Sequence, residues 1–265
     1  MRTGKWYYDK PYFCYMARII PLSEGSFTVD GTKKFLPFDD HKDSMKDRTT
    51  GSLLVEIQPF LVITDRDILL LDSGLGFRNA NGVLQLHQNL IDEGINPMEV
   101  TKVLMSHLHK DHAGGISVQD LITGERSLSF PHATYYVNRQ ELDYAFANDG
   151  KSYLKEEVDL LPKRDNVVLT EGNGTIDGYI HYEVTGGHCP YHQVFLIDDG
   201  EDKVFFGGDV APQISQMKSR FIAKYDYDGK RTMELRQEYM ERGQQEDWTF
   251  LFYHDTKQPT TKFYI

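Results

Sequence analysis

The 265-residue chain is poor in cysteine, in basic side chains and in long apolar runs. Its two cysteines, Cys14 and Cys189, stand far apart in sequence. That excludes a disulfide framework and suits a reducing compartment. Twenty-nine Lys and Arg face forty Asp and Glu, so the formal charge is 29 − 40 = −11. Such a balance argues against nonspecific binding to nucleic acid or to an anionic membrane. No stretch approaches the roughly 20 consecutive apolar residues that a spanning helix needs, because Glu56, Pro59 and Asp65 break the apolar clusters between 53 and 71. Residues 1–6 carry positive charge without an apolar core or a small-residue cleavage site, so no signal peptide is read and a cytoplasmic location is expected. Repeats, low-complexity tracts and Pro/Gly/Ser linkers are absent as well, which leaves a single domain over 1–265 as the simplest organisation.

What is present reads as a mixed α+β protein. Strands are expected at 53–64, 67–71, 101–105, 133–137, 167–169, 181–185, 193–197, 203–206 and 248–253, from apolar runs bounded by turn residues. Val83, Leu86, Leu90 and Ile91 recur at helical spacing before Gly94. Asn96-Pro97-Met98-Glu99 has the cap, first-turn proline and third-position carboxylate of a helix start. Asn138–Ala147 reads as a capped helix, and Thr232–Arg242 as a helix ended by Gly243. The first fifty residues are less regular: rich in aromatics (Trp6, Tyr7, Tyr8, Tyr12, Phe13, Tyr15), then charged. They read as a strand and surface loop, or as an extension that overhangs a binding site. The same aromatics offer a contact for a homodimer.

The chemistry concentrates in Ser106-His107-Leu108-His109-Lys110-Asp111-His112-Ala113-Gly114-Gly115. Three histidines and an aspartate fall within six residues, directly after an apolar strand. On an extended segment positions 107 and 109 face the same way, and a following turn brings Asp111 and His112 to a second position. Imidazole and carboxylate are the donors that zinc and similar borderline cations prefer. Three more donors stand where apolar strands meet glycine-rich or polar loops: His188 after Gly186-Gly187, Asp209 after Gly207-Gly208, and His254 after Phe252-Tyr253.

This set, with Leu70-Leu71-Asp72-Ser73-Gly74 upstream, resembles the metallo-β-lactamase superfamily of metallohydrolases over about residues 53–255. The resemblance implies an αβ/βα sandwich, two mixed β-sheets packed face to face and flanked by helices, with the site along one edge. It implies two divalent metal ions, zinc first, with iron, manganese or cobalt as alternatives. His107, His109 and His188 would hold one ion and Asp111, His112 and His254 the other, with Asp209 bridging. Asp72 would orient a ligand from behind. A hydroxide held between the ions would attack a carbonyl carbon or a phosphorus, and Asp111 would also pass a proton to the leaving group.

The resemblance is less decisive about substrate. Aspartate rather than cysteine at 209 sets the chain apart from the antibiotic-degrading members, and His109 rather than glutamate sets it apart from the flavo-diiron oxidoreductases. After His254 only Lys257 and Lys262 remain, too few for the basic cluster that glutathione-binding relatives use. The expectation is a hydrolase for a small lactone or ester with an apolar tail, with no nucleic-acid or membrane partner. Phosphotriester or glutathione-thioester hydrolysis is the alternative, and an iron-dependent oxygenase or redox protein is the rival of another class. Lactonases of this kind often carry a tyrosine three residues beyond the bridging aspartate. Here that residue is Pro212, which leaves Tyr191 or Tyr225 as substitutes, and Phe221 as a further pocket residue. Cys189 reads as a small buried residue or as a soft group behind the metal.

Overall fold

The computed structural model describes residues 17–264. The aromatic run before residue 17, and with it Cys14 and the dimer contact expected there, lies outside the described residues. In chain order the strands are β1 (Arg18–Pro21), β2 (Gly25–Val29), β3 (Phe35–Pro37), β4 (Leu53–Ile57), β5 (Phe60–Ile63), β6 (Ile68–Leu71), β7 (Lys102–Leu104), β8 (Ser117–Gln119), β9 (Arg126–Leu128), β10 (Thr134–Asn138) and β11 (Val167–Thr170). They continue with β12 (Gly174–Ile176), β13 (Ile180–Val184), β14 (Gln193–Asp198), β15 (Lys203–Phe206), β16 (Thr249–Leu251) and β17 (Thr260–Thr261). The helices are α1 (Gln85–Asp92), α2 (Lys110–Ala113), α3 (Arg139–Ala147), α4 (Lys155–Val158), α5 (Ile214–Met217) and α6 (Gly229–Gln245). Among the described residues no helix is long and apolar enough to cross a membrane.

Two six-stranded sheets form the body, in the orders β1-β5-β6-β7-β10-β11 and β12-β13-β14-β15-β16-β17. Both are mixed. In the first, β5 and β6 are antiparallel, and β6, β7, β10 and β11 run parallel. In the second, only β15 and β16 are parallel. Strand alternation divides their side chains among three cores. Phe60, Val62, Leu69, Leu71 and Leu104 face Ile180, Phe195, Ile197, Val204, Phe206 and Leu251 between the sheets. The alternate residues Leu61, Leu70, Val103 and Tyr135 pack outward on α1 and α3 through Leu86, Leu90 and Leu142. On the far side Val194, Phe205 and Phe250 meet Leu235 and Tyr239 of α6. The central strands β5, β6, β7, β14, β15 and β16 are apolar on both faces because both faces are covered, and the αβ/βα sandwich follows.

Three boundaries differ from expectation. The run 53–64 is two strands, since Gln58-Pro59 interrupts it. β4 leaves the first sheet to pair with β2, which also pairs with β3 in a three-stranded sheet that local pattern did not foretell. Gly243 does not end its helix: α6 runs on to Gln245. A Cβ at 243 would overlap the Phe250 ring, so that glycine serves close packing of helix on sheet rather than a stop. Asn96 and Asn138 do cap as expected, their side chains accepting from the Met98 and Glu141 amides.

Candidate metal centre

The seven expected donors converge at one edge of the sandwich, each just beyond a strand end. His107 and His109 leave β7, and α2 carries Asp111 and His112. His188 sits between β13 and β14, Asp209 follows β15, and His254 follows β16. His107, His112, His188, Asp209 and His254 are buried, and His109 and Asp111 partly so. The motif loop is clamped to the end of β6: the Ser73 amide and hydroxyl both donate to the His112 carbonyl, at 2.7 and 2.9 Å. A Cβ on Gly115 would strike the Ser73 carbonyl, so this close approach requires glycine.

The donors form two groups that meet on Asp209. His109 Nδ1 lies 3.0 Å from both His107 Nε2 and His188 Nε2. Asp209 Oδ2 is 3.1 Å from His188 Nε2. Its Oδ1 is 3.2 Å from His112 Nε2 and 3.0 Å from His254 Nε2. Asp111 Oδ2 stands 3.8 and 3.6 Å from the same two nitrogens. Each group is compact enough for its atoms to share one cation, His107, His109 and His188 on one side and Asp111, His112 and His254 on the other.

The polar chemistry fits cations. His112 Nε2 and Asp209 Oδ1 are buried with no hydrogen-bond partner, an arrangement native interiors rarely tolerate. Meanwhile the outward-facing nitrogens are engaged. His112 Nδ1 lies 2.7 Å from Asp72 Oδ2, His188 Nδ1 2.9 Å from Asp226 Oδ1, and His254 Nδ1 2.7 Å from the Glu56 carbonyl. Such partners fix the ring tautomer and leave the inner lone pair for a metal. Burial, then the neighbouring imidazoles, holds His107 and His109 well below the usual histidine range, so both stay neutral. Burial by itself would raise the Asp209 carboxyl, but His254, His188 and His112 outweigh it and keep that group well below the usual range. The opposite holds for His112, where burial is overcome by Asp209, Asp111 and Asp72 and the imidazole is raised.

Asp72 is fully buried, with φ of +57°. It accepts from the Ser106 amide at 2.7 Å and the Ser106 hydroxyl at 2.6 Å as well as facing His112. Those three partners account for its carboxylate without a metal.

Four participants carry no local signal in the sequence. His192 is buried, and its Nε2 accepts from the Asp209 amide at 3.1 Å. Asp226, in the loop before α6, backs His188. Tyr253 stacks on His112 at 4.1 Å and donates to the Asp111 carbonyl at 2.6 Å. Glu141, on α3, accepts from the Leu108 amide, the Tyr153 hydroxyl and the Cys189 thiol. Cys189 is thus buried and behind the centre, and burial pushes its thiol up.

A cleft opens over the donors, lined by His109, Asp111, His188, Asp209 and His254 at its base. Val29, Phe35, Leu53, Leu54 and Val55 give it an apolar wall, and Pro212, Gln213, Gln216 and Tyr225 also line it. Of the three expected pocket residues only Tyr225 lines it. Its ring lies 6.0 Å from that of His188, and its hydroxyl accepts from Gln216 at 3.3 Å. Burial raises its phenol to about 12. Tyr191 instead packs on Tyr144. Phe221 is 41% exposed and outside the cleft, and its carbonyl accepts from the Arg236 guanidinium.

The chain belongs to the metallo-beta-lactamase superfamily, whose profile matches residues 56–254. Among individual proteins it is similar to N-acyl homoserine lactonase AttM of Agrobacterium fabrum, 33% identical over 130 residues. That stretch is 43% of this chain and 44% of the relative, so the match spans less than half the relative's length. An N-acyl homoserine lactonase of a Bacillus species is 28% identical over 179 residues, 60% of this chain and 65% of that one. Among solved structures, a probable metal-dependent hydrolase from Staphylococcus aureus superposes with a TM-score of 0.75 at 22% identity, covering 94% of this chain and 92% of that one. AidC, a dizinc quorum-quenching lactonase, superposes with 0.67 at 18% identity, covering 94% and 91%. At those identities the superpositions show the fold.

Proposed function

We propose that the chain is a metal-dependent hydrolase that opens a lactone or cleaves an ester with an apolar tail. The observation that carries this reading is the pair of buried donor groups joined through Asp209 beneath a cleft with an apolar wall. Similarity to relatives called N-acyl homoserine lactonases supports a lactone ahead of other esters. In this reading His107, His109 and His188 would hold one divalent ion and Asp111, His112 and His254 the second, with the Asp209 carboxylate reaching both groups. Imidazole and carboxylate donors favour zinc. Bound there, the ions supply a Lewis acid for the substrate carbonyl and acidify a water to near neutral pH.

The chain's own groups do the rest. Val29, Phe35 and Leu53–Val55 take the tail and exclude water. The Tyr225 hydroxyl donates to the substrate carbonyl oxygen, the role that Pro212 cannot fill. Water adds to the carbonyl carbon, the ring C–O bond breaks, and the Asp111 carboxylate carries the proton to the departing alkoxide. Asp72, Asp226 and the Glu56 carbonyl hold three imidazoles in register.

The test is metal content on protein purified without added metal, with turnover of an acyl-homoserine lactone, an aryl ester, a phosphotriester and a glutathione thioester. Two equivalents of zinc with lactone or ester turnover, lost in Asp209→Ala, are expected. One equivalent of iron and no hydrolysis would overturn the proposal in favour of an oxygenase.

A further inference from the structure

We infer that the substrate carries a second, anionic group, a carboxylate or phosphate, beyond the apolar stretch next to its scissile bond; this rests on the hydrolytic reading above. Two ammonium groups line the cleft, Lys33 and Lys110. Neither forms an ion pair among the described residues. Among the described residues the only acidic side chains lining the cleft are Asp111 and Asp209, which belong to the donor groups. In a chain of net charge −11, an unpaired cationic lining is the opposite of the average surface.

Their placement is specific. Lys33 Nζ stands 5.9 Å from the centre of the Tyr225 ring, and Lys110 Nζ stands 5.7 Å from that of Phe35. Both aromatic rings line the cleft, so each ammonium is held along its wall by a cation–π contact. Lys110 directly follows His109, and Tyr225 neighbours His188, so both charges flank the group formed by His107, His109 and His188. Lys33 has φ of +59° in the turn between β2 and β3, where its amide donates to the Asp30 carbonyl at 3.0 Å. Glycine would adopt that left-handed backbone without the steric strain that a lysine bears there.

Two lysines beside a site built for two dications repel that site unless an anion answers them. A neutral lactone would leave them unanswered. A substrate whose tail ends in an anion would place its apolar stretch on Val29, Phe35 and Leu53 and its charge between the ammoniums. Hydrolysis then forms a new carboxylate at the opened lactone and leaves the tail anion untouched.

The test uses the full zinc-loaded chain and homoserine lactones acylated with chains of equal length, ending in methyl, carboxylate or phosphonate. An anionic tip is expected to raise kcat/KM about 10-fold at low salt, a preference that shrinks at 0.5 M salt as screening predicts. The ratio of anionic to neutral turnover should fall at least 3-fold in Lys33→Met and in Lys110→Met and recover in Lys33→Arg. If Lys33→Met fails to fold, Lys33→Asn, which tolerates left-handed backbone, replaces it. The larger of the two anionic ratios identifies carboxylate or phosphate. Equal turnover of neutral and anionic lactones, or a preference that both lysine variants keep, overturns the inference and leaves the hydrolase standing. Turnover of none of them overturns the hydrolytic reading and the inference with it.

Discussion

Asp72→Asn isolates what one buried proton arrangement is worth to the centre. The native carboxylate presents acceptors only: Oδ1 to the Ser106 amide, and Oδ2 to the Ser106 hydroxyl and His112 Nδ1. Burial pushes that carboxyl up, while His112 and Ser106 pull against it. An asparagine can keep its carbonyl on the Ser106 amide, but its NH2 then faces His112 Nδ1. The imidazole must move its proton to Nε2, the buried atom that faces Asp209 and would face a metal. If the amide flips, a donor instead meets the Ser106 N–H deep in the interior. In the first case His112 loses the lone pair a metal needs and in the second a buried donor goes unanswered, about 1–3 kcal/mol, which matches the 10–100-fold typical of losing such a partner. Asparagine tolerates the left-handed backbone at 72, so strain does not confound the comparison. A competition titration of zinc against a chromogenic chelator resolves two equivalents. The one assigned to Asp111, His112 and His254 should weaken by about 10–100-fold, the other by less. Two unchanged steps, or two equal losses, would refute the argument.

Other outcomes are expected from the same structure. Burial raises the Glu24 carboxyl to about 7, against a backbone hydrogen bond from Leu75 that lowers it. Folded protein therefore holds a proton there that unfolded chain releases, and stability falls as pH rises from about 4.5 to 7. Glu24→Gln should match the native chain near pH 5 and exceed it by about 2–3 kcal/mol at pH 8 in urea unfolding; a difference independent of pH would sink this. Gly243→Ala adds helix propensity of about 1 kcal/mol, but the Phe250 ring occupies the space its Cβ needs, and overpacking costs about 1–3 kcal/mol. A net loss is expected, and a stabilised variant would show that the ring yields. Chelation should lower the melting temperature: a metal present at about 1,000 times its Kd contributes ~4 kcal/mol, or about 8–16 °C for a chain of this size. An unmoved melting temperature would mean that the donor groups stand equally well without metal.

The donors were legible because strand-end chemistry is local. His107, His109, Asp111 and His112 lie within one turn and one strand end of each other, and His188, Asp209 and His254 are announced by apolar strands running into glycine or polar loops. The same alternation of apolar residues foretold the sheets. It did not reveal that β4 leaves the first sheet for β2, because the partner of a strand is not written in the strand. It also misplaced the helix end at Gly243, where a ring from β16, distant along the chain, decides what glycine is for.

The sequence by itself marked the cluster from His107 to His112 through spacings of one or two residues, the family resemblance added His188, Asp209 and His254, and alternating apolar residues called for sheets that bury one another. Only the tertiary structure decided what surrounds the donors. Asp226 reaches His188 across 38 residues, and the Glu56 carbonyl reaches His254 across 198. Lys33 and Phe35 join Tyr225 in one cleft only because β2 and β3 fold beside the centre. Contacts of that range arise from which surfaces the packed core brings together, and no local periodicity encodes them.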